Sequence, residues 1–121
     1  YDPGSNTWTA MANVLGGSPV ARTVKKGFCM TQIRNLIYAA KGYDTRQFFR
    51  YDPAANQWTQ QADVSAGAHT VDNGASMAGI NVEISGDKTD YVYLLEFDGE
   101  KIRHMTKIWN AGWAVKELGW A

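Results

Sequence analysis

The sequence predicts a mostly β protein, made of antiparallel strands and hairpins, with one short C-terminal α-helix. Three observations lead to this fold class. A twelve-residue turn motif occurs at position 1 and again at position 51, and short apolar runs lie between the two copies. The second half contains a long apolar run that ends at Asp98-Gly99, a dipeptide typical of a tight β-hairpin.

The repeated motif starts at Tyr1 and at Tyr51, and seven of its twelve positions are identical in the two copies. Each copy contains Tyr-Asp-Pro, then Asn, then Trp-Thr. Pro presets φ, the Asp side chain caps nearby amides, and Asn tolerates a left-handed backbone, so the motif predicts a turn. Trp and Thr then favour a strand. We expect each copy to bring its Tyr and Trp rings together, with Trp58 more buried than Trp8.

Four short runs predict four strands around the second copy of the motif. They are residues 27–31, Leu36–Ala40, residues 47–51 and Gln57–Gln60, with a turn at 32–35. Four strands in about fifty residues is the spacing of one blade of a β-propeller.

The second half predicts a different unit. Residues 65–75 are small and polar and predict a linker or wide loop. Three strands follow at 77–84, 91–97 and Lys101–Trp109, with Gly79 as a bulge. We expect Asn110 to cap a short helix that runs to Leu118, with Gly119 as its stop. We expect residues 1–64 and 76–121 to share one core, because three or four strands alone leave an apolar face uncovered.

Composition excludes several classes of protein. The chain has 121 residues, 45% of them hydrophobic, with twelve basic and twelve acidic side chains. That size fits one domain, and the balanced charge argues against bulk attraction to nucleic acid or to an anionic membrane. The single cysteine, Cys29, excludes an intramolecular disulfide framework and a multi-cysteine metal cluster. The sequence predicts no cofactor, no metal and no membrane partner.

The first half resembles a known family. Residues 13–63 resemble one Kelch repeat, and residues 1–12 resemble the end of a preceding one. The resemblance depends on the apolar run before Gly42, on Tyr51-Asp52-Pro53, and on Asn56 with Trp58. One departure is Lys41-Gly42, where the family has two glycines. The resemblance implies one propeller blade plus a hairpin. Because closed propellers have typically 4–8 blades, we expect that this chain does not close a propeller alone.

The second half resembles another family. Residues 74–121 are similar to the C-terminal half of ketosteroid-isomerase-like or polyketide-cyclase-like cone proteins. The similarity is carried by residues 95–104, by Trp109-Asn110 and by residues 118–120. It implies a sheet with one face lining a small-molecule pocket, without the family's N-terminal helices. The whole chain then resembles a chimera of a Kelch segment and a cone segment.

His104 is the main candidate for chemistry. Alternation along its strand predicts that Ile102, His104 and Thr106 share one face with Ile108. The cone resemblance implies that this face lines the pocket, with His104 as a general acid or base and Glu96 on the facing strand as its orienting partner. The alternative is a surface or half-buried histidine with no catalytic role.

We expect no catalytic or metal-binding role for the second histidine, the cysteine and the two turn aspartates. His69 lies in the linker without carboxylate or cysteine neighbours at metal-ligand spacing, so we expect it to bind no metal. Cys29, between Phe28 and Met30, is interpreted as a small apolar core residue. Asp2 and Asp52 are explained by their turns.

Two functions remain open from the sequence. The first is a non-catalytic binding or structural β-domain. The alternative is a cone-type pocket protein, isomerase-like, cyclase-like or a binder of small hydrophobic ligands. An enclosed cavity beside His104 would favour the second, and a filled core the first. Open sheet edges also predict a homo-oligomer, with strands or the surface of Trp113 and Trp120 at the contact.

Overall fold

The chain folds into two antiparallel sheets. A computed structural model describes residues 1–19, 21–64, 70–84 and 87–109. The seven strands are β1 (Cys29–Ile33), β2 (Leu36–Ala40), β3 (Phe48–Asp52), β4 (Gln57–Gln60), β5 (Ala75–Ile84), β6 (Asp87–Asp98) and β7 (Lys101–Trp109). The predicted mostly β, antiparallel class is confirmed. The predicted helix after Asn110 lies outside the described residues.

The first sheet is a four-stranded meander in the order β1-β2-β3-β4. The predicted bounds of β2 and β4 are confirmed. The first strand lies two residues further along the chain than predicted, because the turn is shorter. Arg34 adopts a left-handed φ of 52°, and the chain reverses tightly enough for Ile33 to pair with Leu36.

The second sheet is a three-stranded meander in the order β5-β6-β7. The predicted hairpin between β6 and β7 is confirmed, and Asp98 pairs with Lys101 across it. Of the two loop residues, Gly99 has a φ of 59° and Glu100 does not have a positive φ. A positive φ at the first loop position alone is the pattern of a type II′ turn, which suits the twist of a hairpin.

Gly79 does not form the predicted bulge. It pairs with Val92 in regular register. A Cβ atom at this position would stand 2.7 Å from the backbone oxygen of Gln32 and 2.6 Å from Cδ1 of Ile33. The glycine is therefore explained by the close approach of β1 to β5, which the sequence of β5 alone does not indicate.

The hydrophobic core lies between the two sheets. Its buried side chains come from β1, β2 and β3, from the segments beside them, and from β5 and β6. They are Ile33, Ala40, Phe48, Val64, Val71, Met77, Val92 and Leu94. One face of each sheet therefore packs against the other sheet, as in other two-layer β proteins.

The opposite face of the first sheet is covered by the N-terminal segment, residues 12–18. Phe49 and Tyr51 are buried on this face. Ser18 and Gln60 exchange two hydrogen bonds, from Ser18 N–H to Gln60 Oε1 and from Gln60 Nε2 to the Ser18 carbonyl, each 2.8 Å. This segment therefore covers the part of the face around Phe49 and Tyr51, whereas Met30 of the edge strand β1 is exposed on the same face.

Lys41 binds this N-terminal segment to the sheet through hydrogen bonds. It is only 1% exposed, and its ammonium group donates hydrogen bonds to the backbone carbonyls of Leu15 and Gly16. The same group lies 5.1 Å from the centre of the Phe49 ring. Burial lowers the pKa of Lys41. The residue that departs from the Kelch pattern thus has a structural role of its own.

Candidate functional site

Glu96 and His104 lie directly opposite each other on β6 and β7. Residues paired across antiparallel strands project from the same face of a sheet. For this pair it is the face that turns toward the core, because Leu94, two residues from Glu96, is a core residue. Glu96 is 2% exposed and His104 is half-buried. The two site residues singled out from the sequence are therefore brought together.

The predicted alternation along β7 is wrong at Ile102. The register between β6 and β7 shifts between Glu96 and Phe97, so that Phe97 pairs with Ile102 while Glu96 pairs with His104. Arg103 is the extra residue of this β-bulge, and a bulge reverses the facing of the residues beyond it. Ile102 is accordingly exposed on the outer face, while His104, Thr106 and Ile108 face inward.

A small cleft lies beside the Glu96–His104 pair. Its walls are Val64, Thr70, Val71, Leu94, Glu96, His104 and Thr106. The volume open to the centres of water molecules is about 10 Å³, which is room for about one water. Sites for small organic molecules measure roughly 300–1,000 Å³. Within the described residues the cleft therefore accommodates water and no substrate.

The Glu96 carboxylate is incompletely paired. Its Oε1 atom is buried and has no hydrogen-bond partner among the described residues. The guanidinium group of Arg103 lies close to this carboxylate, with its Nη2 atom 3.9 Å from Oε1. A buried carboxylate oxygen without a donor is costly, so a water molecule in the cleft is the natural partner.

Cys29 lies on the core side of β1, near Glu96. It packs against the core cluster, and its burial raises the pKa of its thiol to about 11, with a smaller contribution from the charge of Glu96. A thiol with this pKa is protonated at neutral pH and is a poor nucleophile. The interpretation of Cys29 as a core residue is confirmed, whereas its proximity to Glu96 depends on packing between sheets and could not be predicted.

The two turn aspartates act as caps. Asp2 Oδ1 accepts a hydrogen bond of 2.9 Å from the Gly4 N–H, and Asp52 Oδ1 accepts one of 2.9 Å from the Ala54 N–H. Their predicted structural role is confirmed. His69 lies outside the described residues.

An ion pair that no sequence pattern indicates joins two loops. The Lys26 ammonium lies 3.0 Å from Oδ2 of Asp72 and 3.9 Å from Oδ2 of Asp44. The hydrogen bond between Lys26 and Asp72 raises the pKa of the lysine and lowers the pKa of the aspartate. The partners are 46 residues apart in sequence, so no local pattern could have revealed them.

No protein-family model matches the chain, and no curated protein matches its sequence. In the part of the chain that the structure describes, no three His, Cys, Asp or Glu side chains are grouped so that they could hold a metal ion. No helix within that part has the length and apolar character needed to cross a membrane.

Proposed function

We propose that this chain is a non-catalytic binding or structural β-domain. The observation that carries the proposal is the size of the cleft beside Glu96 and His104, which accepts about one water molecule. A general acid or base must lie within hydrogen-bond reach of the substrate atom that gains or loses the proton, directly or through one water molecule. Among the described residues, the cleft gives His104 room for about one water molecule, which supports a role without catalysis.

The outer face of the second sheet supports a role in binding. Ile80, Ile102 and Met105 are exposed there, beside the half-buried rings of Tyr93 and Phe97. The strand pairing places all five side chains on the face opposite Glu96. Clustered apolar side chains on a surface commonly mark a site of contact with another macromolecule.

The two family resemblances belong to the same proposal. A Kelch-like identity for residues 1–63 is supported by the four-stranded antiparallel meander. A cone-like identity for residues 74–121 is supported by the three-stranded meander with one face turned to the core. Under this proposal the cone face is packed against the blade, so the surface that lines a pocket in cone proteins is used here to build a core.

One observation favours the alternative of a small-molecule pocket protein. Glu96 presents a buried oxygen without a hydrogen-bond donor to the same cleft as His104. A ligand that carries a hydroxyl group would supply that donor if the cleft widened.

Thermal unfolding in the presence of steroid and polyketide-like ligands tests the proposal. We expect no change in Tm with either class. A ligand at one hundred times its Kd would stabilise the fold by about 2.7 kcal/mol, which is readily measured. An increase in Tm that disappears in His104→Ala, and that persists in the outer-face control Met105→Ala, would overturn the proposal in favour of the pocket protein.

A further inference from the structure

The two copies of the turn motif have the same local structure. In the first, the Tyr1 hydroxyl donates to Asn6 Oδ1 at 2.6 Å, and in the second, the Tyr51 hydroxyl donates to Asn56 Oδ1 at 2.7 Å. The two asparagines have φ values of 53° and 51°. The Tyr–Trp ring centres are 5.0 Å apart in the first copy and 4.8 Å apart in the second. The motif therefore builds one geometry twice.

The second turn holds a piece of extended backbone. Asn56 Oδ1 accepts a second hydrogen bond, of 2.7 Å, from the Ala12 N–H. Trp58 Nε1 donates to the Ala12 carbonyl at 2.9 Å. One asparagine and one tryptophan thus bind both backbone groups of a single residue. Neither bond depends on the side chain of that residue.

The first turn presents the corresponding groups, Asn6 Oδ1 and the indole of Trp8. Among the described residues no backbone segment is bound there as Ala12 is bound in the second turn. Asn6 Oδ1 is held by Tyr1 as in the second turn. Trp8 is 83% exposed, whereas Trp58 is half-buried, which confirms the predicted order of burial. The first turn therefore presents a tryptophan beside an asparagine oxygen that already accepts one hydrogen bond. The same two groups hold Ala12 in the second turn.

The chain contains a second segment related to the one around Ala12. Ala12 lies four residues after the tryptophan of its turn, and Ala62 lies four residues after Trp58. Ala62 is exposed. Backbone hydrogen bonds hold the segment on both sides of Ala62. The Gln61 N–H donates to the Phe48 carbonyl at 2.8 Å, and the Val64 N–H donates to the Arg46 carbonyl at 2.9 Å. A segment fixed in this way loses little freedom on binding.

We propose that the first turn binds the segment around Ala62 of a second copy of this chain. Asn6 accepts the N–H of that alanine, and the indole N–H of Trp8 donates to its carbonyl, as Asn56 and Trp58 do with Ala12 within one copy. The contact is head-to-tail, so a pair of copies keeps one unused first turn at one end and one unused Ala62 segment at the other. Such a contact closes into a ring or grows further, depending on the angle between copies.

This inference rests on the proposed binding or structural function, and it names the partner. Its failure is distinguishable from failure of that function. Self-association is measured without any ligand, and the ligand assay on the His104 cleft uses a site on the other sheet.

Sedimentation velocity over a range of protein concentrations is the first test. We expect wild type to self-associate and Trp8→Ala to weaken the association by at least about tenfold, because a tryptophan at the centre of a contact is typically a hot spot. Trp8→Phe keeps a ring on Tyr1 and removes the indole donor, and should lie between the two. Met105→Ala on the other sheet is the matched control and should associate like wild type.

A mixing experiment tests the head-to-tail geometry. Ala62→Pro removes the donor N–H and keeps the first turn intact, whereas Trp8→Ala keeps the segment and loses the turn. Each variant alone should be monomeric, and an equimolar mixture should form a dimer that grows no further. Urea unfolding midpoints check that both variants are folded. If the proline disturbs the fold, Ala62→Arg replaces it, because the long side chain would obstruct the approach of the Trp8 ring.

Three results would overturn the proposal. They are a wild type that stays monomeric at the highest concentration, a Trp8→Ala variant that associates as wild type does, and a mixture of two folded variants that remains monomeric. A folded Ala62→Pro variant that associates as wild type does, beside a monomeric Trp8→Ala variant, would also overturn the proposal and would indicate a symmetric contact between two Trp8 surfaces.

Discussion

The two sheets differ in how their faces are covered. The first sheet has the second sheet on one face, and residues 12–18 cover the other face around Phe49 and Tyr51, although Met30 at its edge is exposed. The second sheet has one face in the core, and its other face exposes Ile80, Ile102 and Met105. Both sheets have apolar side chains on both faces, so apolar alternation alone does not say which faces are covered.

The two faces differ in the polar groups that lie on them. The covering segment of the first sheet is held by Lys41, which is buried and bonded to two of its carbonyls, and by the reciprocal bonds between Ser18 and Gln60. On the outer face of the second sheet, the Lys107 ammonium lies 4.0 Å from the centre of the Tyr91 ring. We infer that a buried polar side chain bonded to backbone carbonyls of another segment indicates a covered sheet face better than apolar alternation does.

The largest expected effect is on the free energy of unfolding. It appears when an aromatic residue under the cover of the first sheet and a side chain on the exposed face of the second sheet are each replaced by alanine. Phe49→Ala should lower the free energy of unfolding by about 3–5 kcal/mol, because it leaves a cavity between the sheet and its cover. Met105→Ala, at a residue that is 58% exposed, should change it by less than about 0.5 kcal/mol. Urea denaturation measures both. Similar losses would show that the outer face is covered as tightly as the first sheet.

A smaller effect is expected where the two sheets meet. Gly79→Ala should destabilise the fold by about 1–3 kcal/mol, because the added Cβ would collide with β1 and push the sheets apart. Ser76→Ala, at an exposed position of the same strand, is the control and should be close to neutral. If Gly79→Ala were as stable as wild type in urea, the close approach of β1 and β5 would be disproved.

The smallest effect concerns the pH dependence that Lys41 contributes. Burial lowers its pKa in the folded state below the ordinary value of 10.5, so in the window between the two the unfolded chain binds more protons. Stability attributable to Lys41 therefore rises with pH through that window and levels off above 10.5. At neutral pH, Lys41→Met should change stability by only about 1 kcal/mol, since relief of desolvation offsets two lost hydrogen bonds.

The difference in unfolding free energy between wild type and Lys41→Met, measured from pH 7 into the alkaline range, isolates this contribution. Lys25→Met, at an exposed lysine, serves as the control. A difference that stays constant with pH would mean that Lys41 is not desolvated in the folded state.

Much of the fold was predictable because local signals were strong. The apolar runs of β2 and β7 and the Asp98-Gly99 hairpin have bounds set by turn residues and side-chain alternation, and these predictions are confirmed. The start of β1 and the role of Gly79 depend on a short turn and on a neighbouring strand from the other sheet. Neither is visible in a window of a few residues.

The site was predictable in part for the same reason. That Glu96 and His104 lie on facing strands follows from the hairpin. Their direct pairing depends on the bulge, because the two-residue loop alone would place Glu96 opposite Arg103. The burial of Glu96, the nearness of Cys29 and the size of the cleft depend on how the sheets pack. The opposite facing of Ile102 depends on the bulge, and the sequence carries no Gly or Pro there to indicate one.

The bulge at Arg103 has a consequence for changes in chain length. Because Phe97 pairs with Ile102 and Glu96 pairs with His104, Arg103 is surplus to the ladder. A single-residue deletion at this position would leave every inward and outward side chain of β7 facing as it does now, whereas the same deletion at Thr106 would reverse the facing of one end of the strand. The hairpin can therefore shorten by one residue at one point without exchanging its inner and outer surfaces.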